Sequence, residues 1–290
     1  MKPAKFDYYA VKEINEALDL LSTNGPEAKI LAGGQSLVPL LNMRLARPKI
    51  LVDLNSVDEL KYIRKEDNTI TIGSMTSETE VEESSLVREN CPLLAEAVKL
   101  IGHPAIRNRG TVGGSIAHAD PAAEIPAVLK TLDGKIRIRS PEGERVLAAE
   151  DFFVTYLTTD LKYNEVVTAV SFPVISSGTG WAVEELARRH GDFAIVGVVV
   201  CLTLHEQKID DVRVVLFGTG DTAYRAKTAE QVLEGVEPRS ELFQEAAQKL
   251  RSSMDPPSDI HASADYRRHL AGVLMTRALA KALTRANRGK

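Results

Sequence analysis

Two glycine pairs, each lying where an apolar run gives way to a helical apolar period, are the parts of this chain best suited to holding a ligand. The first is Ala32-Gly33-Gly34-Gln35-Ser36-Leu37, and the second is Thr111-Val112-Gly113-Gly114-Ser115-Ile116-Ala117-His118-Ala119-Asp120, running on to Glu124. Glycine has no Cβ, so it accepts positive φ and lets another group approach the main chain. The first amides of a helix lack partners inside it and carry the positive end of its dipole. A glycine turn opening a helix can therefore hold a phosphate without any basic side chain, and two such turns can grip one diphosphate from two sides. A single Gly-Gly more often only turns the chain, so the pair carries the argument.

The remaining chemistry-bearing residues mostly set bounds. Glu124, at the end of the second motif, reads by itself as a solvated carboxylate at a helix start. His103 and His118 lack any visible nucleophile, base and orienter set, and the six histidines form no zinc-ligand spacing with a carboxylate. Only Cys91 and Cys201 are present, which reads as buried packing. A cysteine-ligated [2Fe–2S] cluster needs four thiolates, so iron–sulfur or metal chemistry is expected on another chain. Neither a G-x-G-x-x-G after a strand nor a P-loop lysine is present, which disfavours dinucleotide-fold dehydrogenases and P-loop NTPases.

The elements that must position these motifs are legible from periodicity. Val11, Ile14, Leu18 and Leu21 give a helix over 11–21 ended by Asn24-Gly25-Pro26, and 28–31 is a strand leading into the first glycine turn. Ser36 is the expected N-cap of the next helix, Pro39 fits its first turn, and Leu37, Leu40, Leu41 and Leu45 are expected to face the core. Ile50, Val52 and Leu54 alternate as a strand, completing a βαβ-like unit over 1–56. Within 57–175 a hairpin turns at Asp67-Asn68 and another at Pro141-Glu142-Gly143, while Thr76 or Ser77 caps a short helix and Pro92 opens another. Val166 to Phe172 adds a strand, and strands are expected to dominate this unit. Small residues over 175–180 mark a boundary, and 180–290 reads as three strands (181–186, 194–204, 209–217) followed by helices at 226–234, 239–251 and 263–287. The expected fold class is α+β: a small βαβ-like unit, an antiparallel-sheet unit, then a three-stranded antiparallel sheet with a helical cluster.

At 290 residues, with 44% hydrophobic and 26% charged residues, the chain has enough material for two or three packed units. A net charge of −4, with basic residues interleaved among acids, gives no footprint for nucleic acid. No apolar run approaches the length of a membrane span and the first residues lack a signal-peptide core, so a cytoplasmic protein without a transmembrane segment is expected.

The motifs AGGQS at 32–36, TVGGS at 111–115 with AHADPAAE at 117–124, and Ala187-Arg188-Arg189-His190-Gly191-Asp192-Phe193-Ala194 together resemble the FAD-binding medium subunit of molybdenum hydroxylases. The likeness is greatest to the aerobic carbon monoxide dehydrogenase type, within the vanillyl-alcohol oxidase/p-cresol methylhydroxylase superfamily, and it covers essentially the whole chain. It implies an FAD-binding domain over 1–175 and the flavoprotein C-terminal domain over 180–290. It implies FAD held by Ala32, Gly33, Gly34, Gln35, Ser36 and Leu37 on one side and by Thr111, Gly113, Gly114 and Ser115 on the other, through main-chain hydrogen bonds to the pyrophosphate. Ala117 and Asp120 lie on the second turn, Glu124 accepts from ribityl hydroxyls, Ile101 and Leu161 are apolar contacts, and Phe193 approaches the isoalloxazine. Here the position is Phe rather than Tyr, so packing is kept and a phenolic hydrogen bond is lost. The implied partners are a small [2Fe–2S] subunit and a large molybdenum-cofactor subunit in a dimer of heterotrimers, with this chain passing electrons to an external acceptor. The alternatives are a self-contained FAD oxidase or reductase of the same superfamily and a cofactor-free scaffold subunit.

Overall fold

A computed structural model describes residues 2–288. Its N-terminal unit comprises β1 (Asp7–Ala10), α1 (Ile14–Asn24), β2 (Ala28–Leu31), α2 (Leu37–Asn42) and β3 (Ile50–Asp53). The strands form a parallel sheet in the order β1-β3-β2, with Tyr8 opposite Leu51 and Ile30 opposite Val52. Burial of Ile14, Ala17, Leu18 and Leu21 at helical spacing holds α1 against the central strand β3, whose Val52 is fully enclosed. Gly25, at φ +55°, ends the helix. Leu45 departs from expectation: α2 stops at Asn42 and Arg44 takes φ +58°, so the chain turns outward and leaves Leu45 73% exposed.

The middle unit runs through β4 (Ile63–Glu66), β5 (Thr69–Gly73), α3 (Glu78–Glu83), α4 (Ser85–Asn90), α5 (Pro92–Val98), α6 (Pro104–Arg107), α7 (Val112–His118) and α8 (Glu124–Thr131). It continues with β6 (Lys135–Ser140), β7 (Gly143–Ala148), α9 (Ala149–Phe152), β8 (Phe153–Thr155), β9 (Thr158–Thr159) and β10 (Val166–Pro173). Both expected hairpins form, the first closing with Glu66 opposite Thr69 and Asp67 at φ +51°. The antiparallel sheet has the order β4-β5-β10-β6-β7. Ser77 supplies a full capping box with Glu80 at the start of α3. Strands do not dominate this unit, because the stretch between Ser77 and Thr131 is a series of helices that covers one face of the sheet. Two of them, α3 and α5, are the helices expected at Ser77 and Pro92; the apolar periods of the others are broken by Cys91-Pro92, Gly102-His103-Pro104 and Pro121, which hides them from a periodicity reading.

The C-terminal unit has β11 (Thr179–Leu186), β12 (Val196–His205), β13 (Lys208–Phe217), β14 (Tyr224–Arg225), α10 (Lys227–Leu233), α11 (Ser240–Ser253) and α12 (Ala264–Arg288). The three expected strands form an antiparallel meander, and the two-residue β14 adds a fourth at its edge beside β13. One face of this sheet packs on α10, α11 and α12. The other face, through Val183, Val199, Cys201, Val215 and Phe217, joins the apolar cluster of the middle unit that contains Ile125, Val128 and Leu129 of α8. All eight residues of α8 are buried, so this helix lies between two sheets and Glu124 begins it there.

Candidate cofactor site

The two glycine turns meet. A Cβ on Gly33 would fall 2.1 Å from the Arg109 carbonyl oxygen and 2.9 Å from the Gly110 Cα, and a Cβ on Gly114 would fall 3.6 Å from the Ala32 Cβ. Gly33 is therefore required by close approach and has no positive φ, whereas Gly34 sits at φ +74°. Asn55 Nδ2 donates to the Ala32 carbonyl at 3.0 Å, and Gln35 Nε2 donates to the Gly33 carbonyl at 2.9 Å. Ser36 stands at the N-cap position of α2, but no capping hydrogen bond forms through its side chain. Val38 N–H donates to Gly34 O, and among the described residues no acceptor pairs with the amides of Gly33, Gly34, Gln35, Ser36 or Leu37. Leu37, half-buried, opens the helix at this mouth.

The second turn is hydrogen-bonded differently from the first. Thr111 caps α7 by accepting from Gly114 N at 3.1 Å, Gly113 N donates to Ser74 O at 2.8 Å, and Ser115 N donates to Thr111 O at 3.0 Å. These three amides have acceptors within the protein, whereas among the described residues those of Gly33 to Leu37 have none. Gly113 is a packing glycine: its Cβ would lie 2.4 Å from the Ser74 Cβ, so only glycine lets α7 press onto the end of β5. Gly114 instead gives α7 its contact with Ala32, and the Ser115 hydroxyl stays half-buried beside it.

Beyond α7, Ala119 takes the left-handed conformation at φ +53° and ends the helix. Asp120 Oδ1 accepts from Ala122 N at 2.9 Å, holding the turn to α8, and Pro121 O accepts from Gly218 N of the C-terminal unit at 2.7 Å. Ala117 is exposed. Glu124 is only 8% exposed, and burial together with the nearby Glu185, Glu78 and Asp120 charges pushes its carboxyl up to about 8, against its own amide. Burial also raises Glu185 and Glu78 to about 7, with Arg107 opposing the rise at Glu78. Oε2 of Glu78 and Oε2 of Glu185 are buried without a hydrogen-bond partner. These acids hold protons near neutrality, so they can donate as well as accept.

Ile101 and Leu161 are half-buried against the main core cluster. Phe193 is 68% exposed, on a loop whose Gly191, at φ +86°, lies against the Gly102 carbonyl and the His103 ring. His103 and His190 stack at 6.3 Å there. Burial lowers the His118 pKa, against the pull of Asp120 and with Lys29 adding to the shift. The sequence reading did not find Asn55, Glu78 or Glu185. Asn55 carries a faint signal as a side-chain amide just past a strand's carboxyl end, while the two glutamates carry none, since only tertiary packing buries them. Among the described residues no group of three or more His, Cys, Asp or Glu is placed to hold a metal, and no helix is long and apolar enough to cross a membrane.

Unpaired main-chain donors at a helix mouth suit a ligand bearing a diphosphate, as nucleotide cofactors do. The chain belongs to the family of FAD-binding medium subunits of molybdenum-hydroxylase-type dehydrogenases, and FAD is that family's cofactor. Residues 4–175 match the FAD-binding domain in molybdopterin dehydrogenase, and residues 181–282 match the CO dehydrogenase flavoprotein C-terminal domain. The chain is 44% identical to the 6-hydroxypseudooxynicotine dehydrogenase complex subunit alpha of Paenarthrobacter nicotinovorans, across 99% of this chain and 97% of that one. It is 39% identical to the carbon monoxide dehydrogenase medium chain of Hydrogenophaga pseudoflava, across 98% and 99%. The solved carbon monoxide dehydrogenase of that organism, lacking the Mo-pyranopterin moiety of its cofactor, superposes with a TM-score of 0.96 at 40% identity, over 98% of this chain and 99% of that one. The chain is thus an oxidoreductase subunit.

Proposed function

We propose that this chain is the flavin-holding electron-transfer subunit of a molybdenum hydroxylase complex, set between a [2Fe–2S] subunit and an external acceptor. A large molybdenum-cofactor subunit completes the assembly, in a dimer of heterotrimers. The observation that carries the reading is the run of amides from Gly33 to Leu37 with no acceptor among the described residues, on a chain related along its whole length to subunits of multi-chain dehydrogenases. When bound, FAD supplies the exchange between one-electron and two-electron chemistry. The protein's residues bind and orient. The amides of Gly33 to Leu37 hold the diphosphate, Thr111 caps α7 so that Gly114 abuts Ala32, and Glu124 meets the ribityl hydroxyls. Asp120 holds the turn that carries Glu124, Ile101 and Leu161 wall the ring system, and Phe193 lies at its rim. Relatives of similar identity are named for 6-hydroxypseudooxynicotine and for carbon monoxide, which supports substrate choice by another subunit.

The test is a steady-state assay of the purified chain with added FAD, alone and after reconstitution with an iron–sulfur subunit and a molybdenum subunit. Substrate-dependent dye reduction is expected only in the reconstituted complex, along with tighter flavin through mass action. Robust substrate turnover by the chain alone would overturn the subunit reading in favour of a self-contained oxidase.

A further inference from the structure

We infer that Asn55 is a positioning residue for the diphosphate cradle, acting through the Ala32–Gly33 peptide. Four side chain and backbone groups stand in series across the N-terminal sheet. Tyr8 Oη on β1 donates to Asp53 Oδ2 at 2.5 Å. Asp53, buried at the carboxyl end of β3, accepts at Oδ1 from Asn55 N at 2.8 Å and from Asn55 Nδ2 at 2.6 Å. Asn55 Nδ2 then donates to the Ala32 carbonyl at 3.0 Å. In a trans peptide the C=O and the following N–H point in opposite directions. Holding the Ala32 carbonyl toward β3 therefore turns the Gly33 amide away from it, out of the sheet. Gln35 Nε2 on the Gly33 carbonyl does the same for the Gly34 amide.

Without these ties a glycine pair would be free to rotate its peptide planes, since glycine's φ and ψ are the least restricted of any residue. The Leu54 amide on Leu31 O, at 3.0 Å, anchors the strand just before the turn but not the turn itself. Asn55 is thus the group outside the glycine motif that fixes one of its donors before the ligand arrives, and such preorganisation lowers the ordering cost of binding.

The inference rests on the cradle reading above, and the test separates the two. FAD, ADP and riboflavin are titrated against the full chain and its Asn55→Asp and Asn55→Ala variants, alongside melting of the ligand-free proteins. Asn55→Ala removes both Nδ2 donations without adding charge and is the primary variant, whereas Asn55→Asp also sets a second carboxylate against Asp53 Oδ1 and the Ala32 carbonyl and is the more disruptive one. FAD and ADP, which carry the diphosphate, are expected to weaken by about tenfold, the worth of one directed hydrogen bond, while riboflavin is unchanged. Tyr8→Phe, at the exposed end of the series, is expected to shift FAD and ADP in the same direction by about twofold. Unchanged FAD affinity in both Asn55 variants would overturn the inference, as would equal losses for all three ligands with a lowered melting temperature, the mark of a merely structural residue. Gly34→Val, which blocks the mouth without touching the series, is the control. Loss of FAD there with full affinity in the Asn55 variants refutes only this inference, and full affinity there refutes the cradle reading itself.

Discussion

Replacing Gly33 by alanine adds one methyl group at the seam where the two glycine turns touch. That methyl would lie 2.1 Å from the Arg109 carbonyl oxygen, 2.8 Å from its carbon and 2.9 Å from the Gly110 Cα. Ordinary contact begins near 3.4 Å, so the turns must part by about 1.3 Å, and the atoms in the way are backbone rather than a side chain that could swing aside. Overpacking of this kind costs about 1–3 kcal/mol, which for a protein of this size lowers Tm by roughly 2–4 °C per kcal/mol. The binding loss should exceed the stability loss, because the displaced segment carries the donors themselves. Gly34→Ala is the comparison. Its Cβ would meet Val38 Cγ2 at 3.1 Å and Leu31 Cδ1 at 3.3 Å, both side-chain atoms, and its φ of +74° adds about 1 kcal/mol. Flavin-fluorescence titration and thermal melting of both variants are expected to show near-complete loss of FAD binding for Gly33→Ala and a loss of about tenfold for Gly34→Ala. Wild-type affinity in a folded Gly33→Ala protein would show that the seam does not govern the cradle.

Three further outcomes follow from the same geometry. Gly113→Ala, whose Cβ would lie 2.4 Å from Ser74, is expected to lower the melting temperature of the ligand-free protein, with FAD affinity in the surviving folded fraction little changed; an unchanged melting temperature would contradict its role as a packing glycine. Glu124→Ala is expected to weaken FAD by about 1–3 kcal/mol, read as a dissociation constant, and an unchanged value would return Glu124 to an ordinary buried acid. Glu124 also sets a pH dependence. Its folded-state carboxyl lies at about 8 and an unfolded one near 4.3, so between these values the folded state binds more protons and stability falls as pH rises. Glu185 and Glu78, each at about 7, act in the same direction. Ligand-free melting temperature should therefore decline from about pH 5 to pH 8, and Glu124→Gln should flatten that decline; a wild-type slope in the variant would remove Glu124 as its cause.

Local chemistry was legible in the chain wherever a single stretch contains its own cause. The two glycine motifs, the capping serine at 77, the hairpins at 67–68 and 141–143, and the strands of the C-terminal meander all depend on residues a few positions apart. So did the family resemblance, since its motifs are contiguous. What the sequence could not show depends on groups that meet only after folding. The short helices between Ser77 and Thr131 other than those at Ser77 and Pro92 take their stability from burial against the sheet rather than from long periods of their own. Tertiary contact made Gly113 a packing residue while leaving the amides after Gly33 open, although the two motifs read alike. It also brought Glu78, Glu124 and Glu185 together from three separate elements and removed water from around them. A carboxyl's tendency to keep its proton is a property of that enclosure, and no residue carries it alone.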